Sequence, residues 1–154
     1  MAMQSGINFD AFGLQFFFGP GVDGMYLRDM FQISAMLDQF LKFARPVRIA
    51  AVQVPSSTKR SKTDIEKRHM PPINGGYWRE PWNEAIQAEW LAQFFDVALS
   101  KPFVESVAWY GLADDPSQPV PHGGIMRSDL TPKPASERLN QLRSAVYAHT
   151  KQVH

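Results

Sequence analysis

Side chains that could do chemistry are few in this sequence, and they form no recognisable catalytic pattern. There is no cysteine among the 154 residues, which excludes disulfides and thiolate zinc sites. No Gly-x-Ser-x-Gly nucleophile elbow occurs. The four histidines lack the spacing of metal ligands: His69, His122, His149 and His154. The residues therefore predict no metal and no other cofactor.

The clearest place for a site is a strand that carries no acid. The segment RIAAVQVP, residues 48–55, has the near-continuous apolar character of a buried parallel strand. Its only polar side chains belong to Arg48 and Gln53. Ala50 and Ala51 stand where the strand of an enzyme would present a reactive group. The segment therefore predicts a strand end without a nucleophile.

The elements that would position such a site alternate along the chain. Short apolar runs predict strands within 9–18, 47–54 and 103–112, the first of them buried on both faces. Apolar residues at spacings of three and four predict helices over 25–44, 82–100 and 135–150. Asp23 is a candidate cap for the first helix. This order indicates an α/β fold with parallel strands and right-handed crossovers, in which long loops follow the strands on the side that usually holds ligands.

Length and charge describe a single domain over residues 1–154, with no strong attraction to nucleic acid or membrane. Lys and Arg number 16 against 15 Asp and Glu, which gives a net charge of +1. The basic run of 59–68 is interrupted by Asp64 and Glu66 and lacks interleaved aromatic residues, so it predicts a solvated loop. No window approaches a membrane span, and MAMQSGINFDAFG has neither the basic leader nor the apolar stretch of a secretion signal.

Four segments in order resemble a known family. They are FDAFGLQ, then FLKFARPVRIAAVQVP, then QAEWLAQFFDVALSKPFVESVAWYGLADD, then GGIMRSDLTPKPASERL. Together they resemble the C-terminal part of glycoside hydrolase family 10, the retaining endo-β-1,4-xylanases, from about Ile7 to Arg143. The resemblance implies a partial (β/α)₈ barrel, in which these strands are the sixth, seventh and eighth. A generic α/β fragment is the alternative.

The resemblance also implies that the catalytic machinery is missing. The family's nucleophilic Glu falls on Ala51, and the His that hydrogen-bonds it falls on Phe17; the acid/base Glu belongs to a fourth strand outside this sequence. Retaining hydrolysis needs two carboxyl groups about 5–5.5 Å apart, so we expect no activity from this chain alone. Replacement acids from the loops are the alternative, with these candidates: Glu80, Asp114 and Asp115.

What remains of the family pattern favours sugar binding over sugar cleavage. Aromatic rings pack on the C–H faces of sugars while amides and carboxylates bind the hydroxyls. The candidate binding residues are Gln15, Trp78, Tyr110 and Asp114. Tyr110 and Asp114 match the family's W-G-x-x-D, whose second tryptophan has no counterpart here. Trp78 lies in GGYWREPW, a loop that the glycines would loosen, and packing is its alternative role; Trp82, Trp90 and Trp109 are expected to pack in the core.

Three hypotheses follow: an inactive hydrolase-like barrel fragment, a carbohydrate-binding protein, or the C-terminal part of an active hydrolase completed by upstream sequence. Three β/α units would leave unpaired strand edges and an uncovered inner face. The residues expected nearest those surfaces are Phe16, Phe18, Val52 and Trp109. Such apolar exposure predicts self-association of a chain this short. The family is usually secreted, and the sequence leaves the cellular location open.

Overall fold

The structure, a computed structural model, describes residues 8–59 and 71–152, with side chains up to Ala145. It contains three strands, β1 (Phe12–Phe17), β2 (Val47–Gln53) and β3 (Val104–Trp109). Three α-helices alternate with them, α1 (Met30–Asp38), α2 (Glu84–Leu99) and α3 (Pro134–Gln152), and a short 3₁₀ turn covers Leu41–Phe43. The predicted β-α-β-α-β-α order and α/β class are confirmed.

The three strands form one parallel sheet in the order β1-β2-β3. The pairing of β2 with β1 shifts by one residue, because Leu14 pairs with Ile49 whereas Gln15 pairs with Ala51. Ala50 is thus the extra residue of a bulge. The bulge changes which residues of β2 share a face with their neighbours, just before the strand reaches its C-terminal end.

The first helix begins later than its apolar spacing predicts. It starts at Met30 and not at Met25, and its N-cap is Asp29 rather than Asp23. The Asp29 carboxylate accepts from the Gln32 backbone N–H at 2.7 Å, and the Gln32 side chain accepts from the Asp29 N–H at 3.1 Å. This reciprocal capping box fixes the start of the helix.

One face of the sheet packs on the helices through aromatic side chains. Trp90 and Phe94 of α2 stack with ring centroids 5.0 Å apart. Both rings pack on phenylalanines at the C-terminal end of β1. Phe16 contacts Phe94 at 5.7 Å, and Phe18 contacts Trp90 at 5.8 Å. Helices α1 and α3 in turn pack against α2. Large aromatic surfaces therefore build the core between the sheet and its helices.

The opposite face of the sheet is open, and its side chains are not those that the sequence predicts. Phe16, Phe18 and Val52 were expected there, yet they are buried on the helix side with exposures of 8%, 2% and 0%. Trp109 is also partly buried against the core cluster. The exposed face instead presents small or polar residues: Gly13, Gln15, Arg48, Ala50, Ser106 and Ala108. The prediction of apolar inner residues was wrong, and so was that of a first strand buried on both faces.

Most of the basic run lies outside the described residues: Arg60, Lys62, Lys67 and Arg68, together with His69. Lys59, the part of the run that the structure does describe, is exposed. Within the described ranges no helix is both long and apolar enough to cross a membrane.

Candidate functional site

The C-terminal ends of the three strands meet in a small cluster, which we call the strand-end platform: Phe17, Gln53 and Tyr110. Phe17 pairs with Gln53 in the sheet register. The rings of Phe17 and Tyr110 meet edge to face, with centroids 5.3 Å apart and planes at 86°. Tyr110 is 43% exposed. An aromatic ring open to solvent therefore stands at the end of the sheet where α/β proteins bind ligands.

Gln15 and Ala51 lie one step below the platform as direct partners in the sheet. The Gln15 side chain is exposed and makes no hydrogen bond to the described part of the chain. Ala51 is only 2% exposed. The position assigned to the family nucleophile is thus a buried methyl group beside an exposed amide.

The loops around the platform are joined by backbone contacts that only glycine permits. Gly19 accepts a hydrogen bond from the Gly75 N–H at 2.8 Å, and Gly75 accepts one from the Leu27 N–H at 2.8 Å. A Cβ on Gly75 would lie 2.2 Å from the Pro20 carbonyl oxygen. The glycines of GGYW therefore lock the loop against its neighbour and do not loosen it.

The tryptophans near the site serve packing. Trp78 is 8% exposed and belongs to the core, and the Arg79 guanidinium lies over its ring at 4.3 Å. Trp82 is 4% exposed and donates from Nε1 to the Gly76 carbonyl at 2.9 Å. Trp109 donates to the Gly123 carbonyl at 2.9 Å. The burial of Trp78 favours packing, the alternative role, over contact with a ligand.

Asp114 belongs to a buried group that we call the lysine network: Ser56, Asp114, His122, Gly124 and Lys133. The Lys133 side chain is 1% exposed. Its Nζ donates to Asp114 Oδ1 at 2.7 Å, to Ser56 Oγ at 2.8 Å and to the Gly124 carbonyl at 2.9 Å. Asp114 Oδ1 also accepts from the Gly124 N–H at 3.0 Å. The carboxylate that was a candidate sugar ligand is thus engaged in tying loops together.

The lysine network is centred on the carbonyl of His122, which has a left-handed backbone with φ of 55°. That oxygen accepts from the Ser56 N–H at 3.0 Å, from Ser56 Oγ at 2.9 Å and from Lys133 Nζ at 3.2 Å. Burial lowers the pKa of Lys133, and the hydrogen bond and charge of Asp114 oppose that shift. The effect of removing the ammonium group from water on this pKa thus exceeds the opposing effect of the Asp114 carboxylate, as is usual for a buried ammonium group.

The other acids of the loops and helix starts are engaged in local contacts or exposed. Asp115 caps a turn by accepting from the backbone and hydroxyl of Ser117 at 2.7 and 2.6 Å. Glu84 holds Arg127 through two hydrogen bonds of 2.8 and 2.6 Å. Glu80 is exposed, and its backbone N–H donates to the Trp78 carbonyl at 2.7 Å. In residues 8–59 and 71–152 no three His, Asp or Glu side chains gather as a metal site would require.

Sequence reasoning missed the polar residues that organise the site. Gln53 was visible as a lone amide in an apolar strand, and that was a usable signal. Lys133 and Gln118 gave none, because each lies in a polar, proline-containing stretch that resembles an ordinary solvated loop. Burial of Lys133 becomes visible only when the loop after β2 and the loop after β3 come together around it.

Comparison of the sequence with family models found no match, and no curated protein matches it either. Comparison of the fold with solved structures does find relatives. The fold resembles xylanase 10B from Thermotoga maritima with a TM-score of 0.65 at 16% identity, covering 96% of this chain and 40% of that one. It resembles xylanase 10B from Thermotoga petrophila RKU-1, solved with xylobiose, with a TM-score of 0.59 at 17% identity over 90% of this chain and 37% of that one.

A β-glucuronidase from Faecalibacterium prausnitzii is also similar, with a TM-score of 0.55 at 16% identity. The similarity covers 88% of this chain and 21% of that one. The chain thus spans well under half of each of these proteins. At such identities the likeness concerns the fold alone, and the chain has the fold of part of a (β/α)₈ barrel like that of these xylanases.

Proposed function

We propose that this chain by itself does not hydrolyse glycosides and that its strand-end platform binds neutral saccharides weakly. The observation that carries the proposal is the composition of the strand ends, where Ala51 is buried and Tyr110 remains exposed. Retaining cleavage needs one carboxyl group to attack and another to protonate the leaving oxygen. Phe17, Ala51, Gln53 and Tyr110 supply neither.

The surviving groups suit binding. Tyr110 offers a ring face and a hydroxyl, and Gln15 offers an amide on the same exposed side of the sheet. Sugars bind proteins through this combination of aromatic stacking and a few hydrogen bonds. The similar xylanase from Thermotoga petrophila was solved with xylobiose, which makes xylo-oligosaccharides the first ligands to try. An open site of this kind supports affinity near the millimolar range, or about −4 kcal/mol.

Catalysis is tested with aryl xylosides and xylan, on which we expect no rate above background. Ala51→Glu should also give no turnover, because the second carboxyl group is absent. Ala50→Glu is a matched control, since it adds the same charge to the neighbouring, exposed residue. A measurable wild-type rate that Glu80→Ala abolished and Ala51→Glu left unchanged would show that the site had been misplaced.

Binding is tested by titrating xylo-oligosaccharides and following tryptophan fluorescence and heat. Tyr110→Ala should remove the binding. Leu41→Ala should not, although Leu41 is 55% exposed, because it lies in the 3₁₀ turn that precedes β2, at the opposite end of that strand. Absence of heat at high ligand concentration would leave only the inactive, non-binding alternative.

A second candidate function is the C-terminal part of an active hydrolase whose other strands come from preceding sequence. The outer edges of β1 and β3 have no strand partner in the described ranges. β1, with sequence FGLQFF, carries no charge that would discourage pairing. A reading frame upstream of Met1 that encodes a W-x-x-x-N-E pattern would favour this candidate.

Self-association of the isolated chain stays a prediction. It now rests on the unpaired outer edges of β1 and β3 in the described ranges, and light scattering tests it.

A further inference from the structure

We infer that Gln53 is a positioning residue that holds the ring of Tyr110 in the orientation that a sugar would meet. The orientation of the ring is inferred from hydrogen bonds in the free protein. The expected effect on sugar affinity rests on the proposed saccharide binding. Gln53 is the last residue of β2 and is fully buried, with 0% exposure.

Both polar ends of the Gln53 amide are used, and both reach the loop that follows β3. Nε2 donates to the Tyr110 carbonyl at 2.9 Å and to Gln118 Oε1 at 2.7 Å. Oε1 accepts from the Val120 N–H at 3.3 Å. A buried amide with all three bonds made is costly to replace, since an apolar side chain would leave its partners unpaired.

Gln118 extends the same support to the turn after Tyr110. Its Nε2 donates to the Ala113 carbonyl at 2.7 Å. Gly111 lies between, with φ of +78°, and a Cβ there would be 2.4 Å from Gln118 Nε2. The two glutamines thus bind the carbonyls on both sides of the turn, and Gln118 packs directly against its glycine.

The ring of Tyr110 has few other restraints. Its backbone N–H donates to the Val52 carbonyl at 2.9 Å, and its ring touches Phe17 edge to face. In the described part of the chain no hydrogen bond holds its hydroxyl, which is consistent with an exposure of 43%. Because the carbonyl of Tyr110 is held by Gln53, loss of that bond frees the backbone on the C-terminal side of the ring.

Gln87 gives an unusually close control. It too is a glutamine with 0% exposure, and its Nε2 donates to the Val54 carbonyl at 3.0 Å and more weakly to the Gly124 carbonyl at 3.3 Å. It lies on α2 and bonds the loops without contacting Tyr110. A merely structural role for Gln53 predicts that Gln53→Leu and Gln87→Leu behave alike.

The experiment compares these two variants in the full chain by two readouts. The first is the NMR shift of the Tyr110 ring protons in protein with labelled tyrosine, assigned among four tyrosines by Tyr110→Phe. The second is xylotetraose affinity by titration calorimetry. We expect Gln53→Leu to move the ring shifts away from the values set by the Phe17 ring. It should weaken affinity roughly tenfold, the size of effect that one buried hydrogen bond supports. Gln87→Leu should do neither.

The two readouts separate this inference from the proposed function. If the wild-type chain does not bind xylotetraose, the proposed function fails, and the ring shifts still decide the role of Gln53. Unchanged Tyr110 shifts in Gln53→Leu would overturn the inference, as would an equal change in Gln87→Leu. If Gln53→Leu does not fold, Gln118→Leu removes the Gln53 partner from a less buried position and should move the same resonances.

Discussion

Replacing Lys133 by methionine should destabilise the protein more than any exposed ion pair could. The Lys133 side chain is 1% exposed, and the Asp114 carboxylate it binds is 16% exposed. Methionine keeps most of the aliphatic stem and removes the ammonium group, whose three N–H bonds are shared among four acceptors. Breaking a buried pair by removing one partner costs about 3–5 kcal/mol. Because Asp114 keeps some solvent and the Gly124 N–H, we expect about 3 kcal/mol, at the lower end of that range.

The assay is urea unfolding at pH 7, with Lys101→Met as the matched control. Lys101 also binds an aspartate at 2.7 Å, but its partner Asp38 is 45% exposed. Such a pair contributes at most about 1 kcal/mol. The double variant Lys133→Met with Asp114→Asn should recover part of the loss, because no charge is then left unpaired. A cost for Lys133→Met no greater than that for Lys101→Met would refute the argument.

The pH dependence gives a second check on the same residue. Burial lowers the folded-state pKa of Lys133 below its ordinary value of 10.5. Between the folded pKa and 10.5 the unfolded chain therefore binds more protons than the folded one. The free energy of unfolding contributed by this group must then rise with pH through that window. Lys133→Met should remove this rise, which unfolding curves at a series of pH values up to 10.5 would detect.

Three further predictions follow from packing and capping. Gly75→Ala should destabilise the fold by about 1–3 kcal/mol, because the added Cβ would meet the Pro20 backbone. At Gly13 an added Cβ meets nothing within 4 Å, so Gly13→Ala should be tolerated, and thermal melting compares the two variants. Phe18→Ala should cost about 3–5 kcal/mol and Phe31→Ala almost nothing in urea unfolding, since their exposures are 2% and 83%. Asp29→Ala should cost about 1 kcal/mol by removing the cap of α1, and equal melting temperatures for variant and wild type would contradict that role.

The order of elements was predictable from sequence because each strand is a short apolar run and each helix an amphipathic one. The start of α1 was not. Met25 and Leu27 continue the apolar spacing but belong to the loop, where the Leu27 N–H donates to the Gly75 carbonyl. An apolar residue that packs under a loop has the same pattern as one on a helix, and the capping pair Asp29 and Gln32 was the better signal.

The facing of β1 was predictable from an alternation that the first interpretation overlooked: Phe12, Leu14 and Phe16 alternate with Gly13 and Gln15. That period of two places Phe16 toward the helices, and only the neighbouring Phe17 obscures it. The bulge at Ala50 adds a one-residue shift that no composition reveals. That the strand ends form a binding site stays a prediction. The contacts of Gln53, Gln118 and Lys133 join segments that are distant in the sequence, and they needed the structure to be seen.

The lysine network also bears on the time course of folding. The bond from Lys133 to Ser56 joins positions 77 residues apart, a longer separation than that of any strand pairing in the sheet. Because closing a longer loop costs more entropy, we expect this contact to form after the strands have paired. Interactions absent from the transition state slow unfolding and leave the folding rate almost unchanged. Lys133 should therefore slow the unfolding of the loops and have little effect on the rate at which the sheet folds.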